Sequence, residues 1–300
     1  MTGGQPRVIV GVDGSPHSAA ALAWAATDAQ LRATELAVIT VYGRNTPRPE
    51  PGGITPAPPG APEQACRDMQ ARLLRSLPAD VTPLVTSRVL PGDPARVLTQ
   101  AAETDDVLVV GTRGRSRLRS LLLGSVAQGC AERSPCPVVV IPAAGQLTTG
   151  QATHRPVVAG VDPSPEARAA LRFAAGEATL RGVTLLPIHA VYPDYAHTHA
   201  AQAGPAGDNE LLPPLDSAWA QLDTLIHSEL ADITVTTQPI AVCGDPEQIL
   251  LSWSHSAALI AVGTRGTGRL HAALLGSVSS HLVQHSHCPV AVVPSWPGSP

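Results

Sequence analysis

The chain has 300 residues, which is enough for two domains of ordinary size, and 44% of them are hydrophobic. Its net charge of −4 excludes a broad basic surface for nucleic acid, and no apolar run reaches the ~18 residues of a membrane span. Five Cys without framework-like spacing are typical of a reducing compartment. We therefore expect a cytoplasmic protein that binds neither membranes nor nucleic acid.

Strands and helices alternate along the first half of the chain. Val8–Val12 is a short apolar strand, and Ser15 is placed to cap a helix that begins at Pro16 and runs to Ala33. The elements predicted next, in chain order, are strand Leu36–Val41, amphipathic helix Glu63–Leu77, strand Val85–Leu90, helix Pro94–Glu103, strand Val107–Val110, a glycine loop with a helix, and strand Val138–Ile141.

This order predicts an α/β domain with a doubly wound sheet. Strands as continuously apolar as VLVV and VVVI are typical of a parallel sheet that helices cover on both faces. Right-handed crossovers then give about five strands. The Pro- and Gly-rich segment Tyr42–Pro62 is predicted to be a mobile loop after the second strand.

The second half repeats the first. VIVGVDGSPHSAAAL from Val8 matches VVAGVDPSPEARAAL from Val157, and GTRGRSRLRSLLLGSV from Gly111 matches GTRGTGRLHAALLGSV from Gly263. Cys136 and Cys288 each open a matching CPV motif and are expected to be small core residues. We therefore predict two tandem domains, 1–143 and 156–296, joined by a small and polar linker at 144–155.

The repeated loop has the composition of a phosphate-binding loop. Each copy reads Gly, two residues, Gly, nine residues, Gly-Ser, and each leaves a strand and opens a helix. Glycine lets backbone N–H groups approach a ligand, and a helix N-terminus favours an anion. Ser125 and Ser277 add hydroxyls, and Arg113 and Arg265 add positive charge. A capping box between Ser125 and Gln128 is also expected.

Two structural explanations compete with this interpretation. The glycines could simply make turns, although the occurrence of the whole pattern twice favours phosphate binding. Asp13 and Asp162 end the first strand of each repeat, where they could accept hydrogen bonds from a ribose or a base, or could cap a helix. Ligands of open α/β sheets lie beyond the carboxyl ends of the strands, where the strand order reverses.

The GVDGS opening, the Gly-x2-Gly-x9-Gly-Ser loop and the CPVVVIP ending, in this order in both repeats, resemble the universal stress protein family. The resemblance covers nearly the whole chain. It implies two tandem domains, each with a five-stranded parallel sheet in the order 3-2-1-4-5 flanked by helices. It also implies dimer-like pairing, either between the two domains or in a homodimer.

The ATP-binding branch of this family implies an adenine nucleotide, ATP with or without Mg²⁺, in each repeat. The residues that match its site are Asp13, Val41, Gly111, Gly114, Gly124 and Ser125, and Asp162, Ala190, Gly263, Gly266, Gly276 and Ser277, with Arg113 and Arg265 beside them. Two positions depart from the pattern. Asp106 of repeat one is matched by Ala258, and Gly14 by Pro163.

The hypothesis is therefore a nucleotide-dependent regulator in a stress or dormancy response. One alternative is a slow ATPase or a nucleotide-dependent transferase, although no catalytic set can be assembled from the residues. Another is a scaffold that binds protein partners and needs no nucleotide. His281 and His285 lie four residues apart on a predicted helix, but repeat one has Gly129 and Arg133 there, so no metal site is predicted.

Overall fold

The structure is a computed structural model, which describes residues 5–43, 60–112, 114, 123–142, 154–191, 214–266 and 275–295. The chain divides into two compact units, Met1–Leu147 and Thr148–Pro300. The finer limits expected from the sequence, 1–143 and 156–296, stay a prediction. The expected linker at 144–155 lies almost wholly outside the described residues.

The first unit contains five strands and four helices in its described part. They are β1 (Val8–Gly11), α1 (Pro16–Leu31), β2 (Leu36–Tyr42), α2 (Ala61–Arg75), β3 (Val85–Pro91), α3 (Pro94–Ala101), β4 (Val107–Gly111), α4 (Ser125–Arg133) and β5 (Val138–Ile141). Ser15 caps α1 by accepting the N–H of Ser18, and Asp93 caps α3 by accepting the N–H of Arg96.

The five strands form a parallel sheet in the order β3-β2-β1-β4-β5. β1 lies at the centre, with Val10 level with Val38 of β2 on one side and with Val109 of β4 on the other. Every residue of β5 and the apolar residues of β1 and β4 are buried. Helices therefore cover both faces of the sheet, as the continuous apolar strands predict.

The second unit repeats this plan. Its elements are β6 (Val157–Gly160), α5 (Pro165–Arg181), β7 (Leu185–Val191), α6 (Pro214–Glu229), β8 (Ile240–Cys243), α7 (Pro246–Trp253), β9 (Leu259–Gly263), α8 (Ser277–His285) and β10 (Val290–Val293). The strand order is β8-β7-β6-β9-β10, and all four neighbouring pairs are parallel. Numbered within the unit, this is again 3-2-1-4-5.

The predicted fold class, two tandem doubly wound domains with five-stranded parallel sheets, is confirmed. The strands begin where the sequence predicts them, and their ends differ by one residue at most. Most of the predicted loop Tyr42–Pro62 and of its counterpart Tyr192–Pro214 lies outside the described residues. No helix in the described part of the chain combines the length and apolar character that a membrane span requires.

The interiors are built from small aliphatic side chains. Ala21, Ala25 and Ala29 of α1 are fully buried beneath the helix, and α5 places Ala170, Ala174 and Ala178 in the same way. Alanine at these positions lets each helix lie close to its sheet. The close packing positions the N-terminus of each helix directly beside the end of the strand that precedes it.

Candidate functional site

The central strands of each sheet bring the candidate residues to one edge. β1 and β4 are parallel neighbours, so the segments that follow them leave the sheet side by side. β6 and β9 have the same relation in the second unit. From β1 the chain crosses to β2 on one side, and from β4 it crosses to β5 on the other side. The carboxyl ends of β1 and β4 therefore mark the point where the strand order reverses. Ligands of doubly wound sheets lie at such a point.

Asp13 lies against the second glycine of the loop. Its Oδ1 accepts the N–H of Ser15 at 2.9 Å. A Cβ added to Gly114 would lie only 2.7 Å from Asp13 Oδ2. The carboxylate and the loop backbone are therefore in direct contact. Gly14, between Asp13 and Ser15, turns the chain there with a φ of +81°.

The second unit has the same contact. Asp162 Oδ1 accepts the N–H of Ser164 at 3.0 Å, and the Ser164 hydroxyl also donates to it. A Cβ added to Gly266 would lie 2.5 Å from Asp162 Oδ2. Pro163 stands where the first unit has Gly14, and it leaves this arrangement intact. Both expected aspartates thus lie beside their own loop.

The first glycine of each loop lies against the first turn of the preceding helix. A Cβ on Gly111 would lie 2.8 Å from the carbonyl oxygen of His17, and a Cβ on Gly263 would lie 2.7 Å from the Cβ of Glu166. No side chain fits at either position without displacing backbone or a Cβ. This packing explains the first glycine whether or not a ligand binds.

The last glycine of the motif begins the helix. Gly124 and Gly276 are the N-cap residues of α4 and α8, and their N–H groups donate to the carbonyls of Thr112 and Thr264 at 2.8 Å. Neither helix has a side-chain cap. By contrast, α1, α3, α5 and α7 are capped by Ser15, Asp93, Ser164 and Asp245.

The expected capping box between Ser125 and Gln128 is wrong. Because Gly124 is the N-cap, Ser125 is the first residue inside the helix, and Gln128 lies one position too late to reach the cap. The Gln128 side chain instead donates to Glu132 Oε1 at 2.9 Å. The exposed Ser125, like Ser277 in the second unit, therefore stands at an N-terminus without a side-chain cap.

Of the two loop arginines expected in the sites, only Arg265 belongs to the described residues. Arg113 lies outside the described residues, whereas Arg265 is half-buried. The carbonyl of Arg265 accepts a hydrogen bond from Ser164 Oγ at 3.5 Å, and a Cβ on Gly276 would lie 3.3 Å from its Cα. The backbone of Arg265 therefore lies between the start of α5 and the start of α8.

Val41 and Ala190 lie near the carboxyl ends of the second strands. Val41 is level with Leu90 of β3, and Ala190 is level with Val242 of β8. Both are half-buried. They end the strands next to β1 and β6, so they lie at the same edge of each sheet as the two aspartates.

Sequence reasoning missed three contributors to these sites. Thr112 and Thr264 hold the N-caps through their carbonyls, and Thr112 Oγ1 lies 3.2 Å from Nδ1 of His17. Ser279 Oγ donates to the carbonyl of Thr264 at 3.1 Å, where the first unit has Ala127. The threonines could have been found, because the letters GTRG occur in both loops.

The histidines of α8 lie near each other without forming a metal centre. The rings of His281 and His285 have centroids 4.7 Å apart, and Glu247 Oε2 lies 3.4 Å from Nδ1 of His281. Among the described residues there is no group of three or more His, Cys, Asp or Glu side chains that could hold a metal ion. No metal chemistry is assigned to this face.

Comparison with known proteins identifies the family. The family model described as "Universal stress protein family" matches residues 6–142 and again residues 153–294. Universal stress protein Rv2005c of Mycobacterium tuberculosis is 31% identical over 303 residues, covering 96% of this chain and 97% of its own. Universal stress protein Rv1996 of the same organism is 30% identical over 331 residues, covering 98% and 97%.

A solved structure supports the fold over the same extent. A universal stress protein from Archaeoglobus fulgidus superposes with a TM-score of 0.65, covering 97% of this chain and 99% of its own, at 21% sequence identity. The family model accounts for both units, and the mycobacterial relatives align from end to end. The chain therefore belongs to the universal stress protein family.

Proposed function

We propose that each unit binds one adenine nucleotide, ATP, at the carboxyl ends of its central strands. The observation that carries this proposal is the contact between a carboxylate and the second loop glycine, Asp13 with Gly114 and Asp162 with Gly266. The contact occurs at both switch points of the duplicated chain. The protein would then act in the cytoplasm as a nucleotide-dependent regulator in a stress or dormancy response.

The start of the helix after the loop would hold the phosphates. Without a side-chain cap, the first N–H groups of α4 and α8 remain available to phosphate oxygens, and the helix dipole favours an anion there. The exposed hydroxyls of Ser125 and Ser277 can donate to the same oxygens. Arg113 and Arg265 would add positive charge to the two sites.

The other end of the nucleotide would lie across the strand ends. Asp13 and Asp162 present acceptor-only carboxylates, which suit the hydroxyl groups of a ribose. Val41 and Ala190 end the neighbouring strands and would contact the adenine. The first glycines, Gly111 and Gly263, fix the loop by packing, so their part in the site is indirect.

Measuring the nucleotide carried by the purified protein tests the proposal. We expect mass spectrometry to find ATP released from protein that was purified without added ligand. Calorimetric titration of the emptied protein should then give about two equivalents of ATP. Gly114→Ala and Gly266→Ala should each remove one equivalent, because the new methyl group displaces the Asp carboxylate from its position.

The chain offers a matched control glycine. A Cβ on Gly176 of α5 would meet no atom within 4 Å, so Gly176→Ala should leave both equivalents in place. Far-UV circular dichroism should be unchanged in all three variants, because Gly176 has no such contact and the atom contacted at Gly114 and Gly266 is the end of a flexible Asp side chain. If the protein neither carries nor binds nucleotide, the loops are only turns and the scaffold interpretation replaces this proposal.

A further inference from the structure

The two proposed sites differ in charge at the second residue of the helix that follows the first strand. His17 and Glu166 are each the second residue of their helix, α1 or α5, directly after a proline. Each contacts the first glycine of the loop. A Cβ on Gly111 would lie 2.9 Å from the Cβ of His17, and a Cβ on Gly263 would lie 2.7 Å from the Cβ of Glu166. The same place therefore holds an imidazole in one unit and a carboxylate in the other.

His17 is also linked to the start of the helix proposed to bind phosphate. Its Nδ1 lies 3.2 Å from Thr112 Oγ1, and the carbonyl of Thr112 accepts the N–H of the N-cap Gly124 at 2.8 Å. Thr264 holds Gly276 by the same hydrogen bond, also at 2.8 Å. Because this backbone contact matches, the exchange of His17 for Glu166 changes the charge at this position while the hydrogen bond that holds the N-cap stays the same.

The two side chains have different effects on a bound polyphosphate. An imidazole is neutral or positively charged and never negative, whereas a glutamate carboxylate is negative at neutral pH. ATP carries more negative charge than AMP, so a carboxylate near the loop opposes ATP more than AMP. Because both residues are half-buried and partly screened by solvent, we expect a moderate effect, on the order of three- to tenfold in affinity.

We propose that His17 and Glu166 are specificity-determining residues that give the two units different nucleotide preferences. The first unit favours the triphosphate, and the second unit favours a less highly charged adenine nucleotide such as AMP. This inference rests on the proposed function, since it concerns the ligand of the same two sites. It makes the protein responsive to the ratio of ATP to AMP rather than to ATP alone.

Glu166 also has a structural role, which the test must separate from this one. As an acidic residue in the first turn of α5, it stabilises the positive end of the helix dipole, and α1 has no acidic residue there. A residue with only this role would change stability when replaced, and it would leave the relative affinity for two nucleotides unchanged. The ratio of the two dissociation constants is therefore the decisive measurement.

The experiment uses the full chain with one site blocked at a time. In the Gly266→Ala background, calorimetry with ATP and with AMP reports on the first unit, and in the Gly114→Ala background on the second. We expect the preference for ATP over AMP to be about tenfold greater in the first unit. Glu166→His and the isosteric Glu166→Gln should raise ATP affinity in the second unit about three- to tenfold and change AMP affinity less. His17→Glu should lower ATP affinity in the first unit.

The possible failures are distinguishable. If neither background binds either nucleotide, the proposed function itself is wrong. If both backgrounds bind but the exchange of charge leaves the ratio unchanged, the proposed function stands and this inference is wrong. A lower melting temperature of Glu166→Gln with an unchanged ratio would assign Glu166 to the helix dipole alone. A difference that shrinks in 0.5 M salt would support the electrostatic origin.

Discussion

The cysteines show how a residue type that is often reactive becomes inert when it is buried. Cys136 and Cys288, expected from the CPV motifs to be small core residues, are buried, so that prediction is confirmed. Burial raises the pKa of the Cys130 thiol to about 12, of Cys136 to about 11 and of Cys288 to about 12. Cys243, which ends β8, is exposed.

We expect alkylation at pH 8 to separate these thiols. The thiolate is the reactive species, and its fraction falls tenfold for each unit by which the pKa rises. Cys243 should therefore react at least about a hundredfold faster than Cys130, Cys136 and Cys288. Timed iodoacetamide labelling with peptide mass spectrometry measures the rates, and urea-unfolded protein is the control in which all five should react. Equal rates in the folded protein would contradict the burial.

The same burial determines the sign of the effect of alkaline pH on stability. In the unfolded chain these thiols titrate near their ordinary pKa of 9.0, whereas in the folded chain they keep their protons to higher pH. The unfolded chain therefore holds fewer protons above pH 9. The free energy of unfolding should fall as the pH rises from about 9 toward 12.

At the scale of elements, Asp106, just before β4, is hydrogen-bonded to Arg7, just before β1, and so links the starts of these two strands. The carboxylate is 3% exposed and accepts the backbone N–H of Arg7 at 2.8 Å and the N–H of Glu103 at 3.0 Å. The Arg7 guanidinium also donates to it at 2.8 Å, and this hydrogen bond raises the pKa of Arg7. The second unit has Ala258 at the matching position, so this network belongs to the first unit alone.

Asp106→Ala should therefore destabilise the first unit selectively. The change leaves two N–H groups without their acceptor and the partly buried Arg7 guanidinium with only the carbonyl of Ala101, which we expect to cost about 2–4 kcal/mol of unfolding free energy. Hydrogen exchange of the β1 and β4 amides should accelerate, and that of β6 and β9 should not.

An exposed ion pair provides the control. Asp232→Ala removes an ion pair with Arg172 whose N–O distance is also 2.8 Å. Because the Asp232 side chain is 66% exposed, the loss of unfolding free energy should be much smaller. If Asp232→Ala lowered the free energy of unfolding as much as Asp106→Ala, burial would not determine how much these ion pairs stabilise the protein.

The helices and strands were largely predictable because their apolar patterns are long and their caps are explicit. Ser15 followed by Pro16 marks the start of α1, and the structure begins that helix at Pro16. The polar interior was not predictable. Asp28 and Glu177 occupy matching positions, are fully buried, and each pairs with the arginine one turn later, whereas carboxylates are normally expected at the surface.

Gln70 shows the same limit for contacts between elements. It is buried under α2, and its Nε2 donates to the carbonyl of Val38 at 3.0 Å. The sequence indicates an amphipathic helix there but not which of its polar side chains turns inward. The glycine motif predicted the candidate site more fully than any pattern predicted these buried polar contacts. A glycine position is set by the backbone conformation and spacing, which the sequence shows directly, whereas a buried polar contact depends on how side chains of distant elements pack.

At the scale of the whole molecule, the duplication preserved the fold and let the charge diverge. Residues 1–150 contain 14 Arg and 12 acidic residues, and residues 151–300 contain 6 Arg and 12 acidic residues. The exchange of His17 for Glu166 is a local case of this trend. Two units with one architecture and different electrostatics provide two separate sites on which ligand preference can diverge.

Each unit should also fold without the other. Each unit has its own five strands and its own buried core. We therefore expect Met1–Leu147 and Thr148–Pro300, expressed as separate chains, each to unfold cooperatively on heating, as measured by circular dichroism.

A cut inside a unit provides the control. A fragment of residues 1–104 lacks β4 and β5, so the central strand β1 loses one of its two neighbours, and we expect this fragment to stay unfolded. If either half-chain also fails to fold alone, that unit depends on the other for stability. A nucleotide effect measured on one site would then have to be interpreted as a property of both.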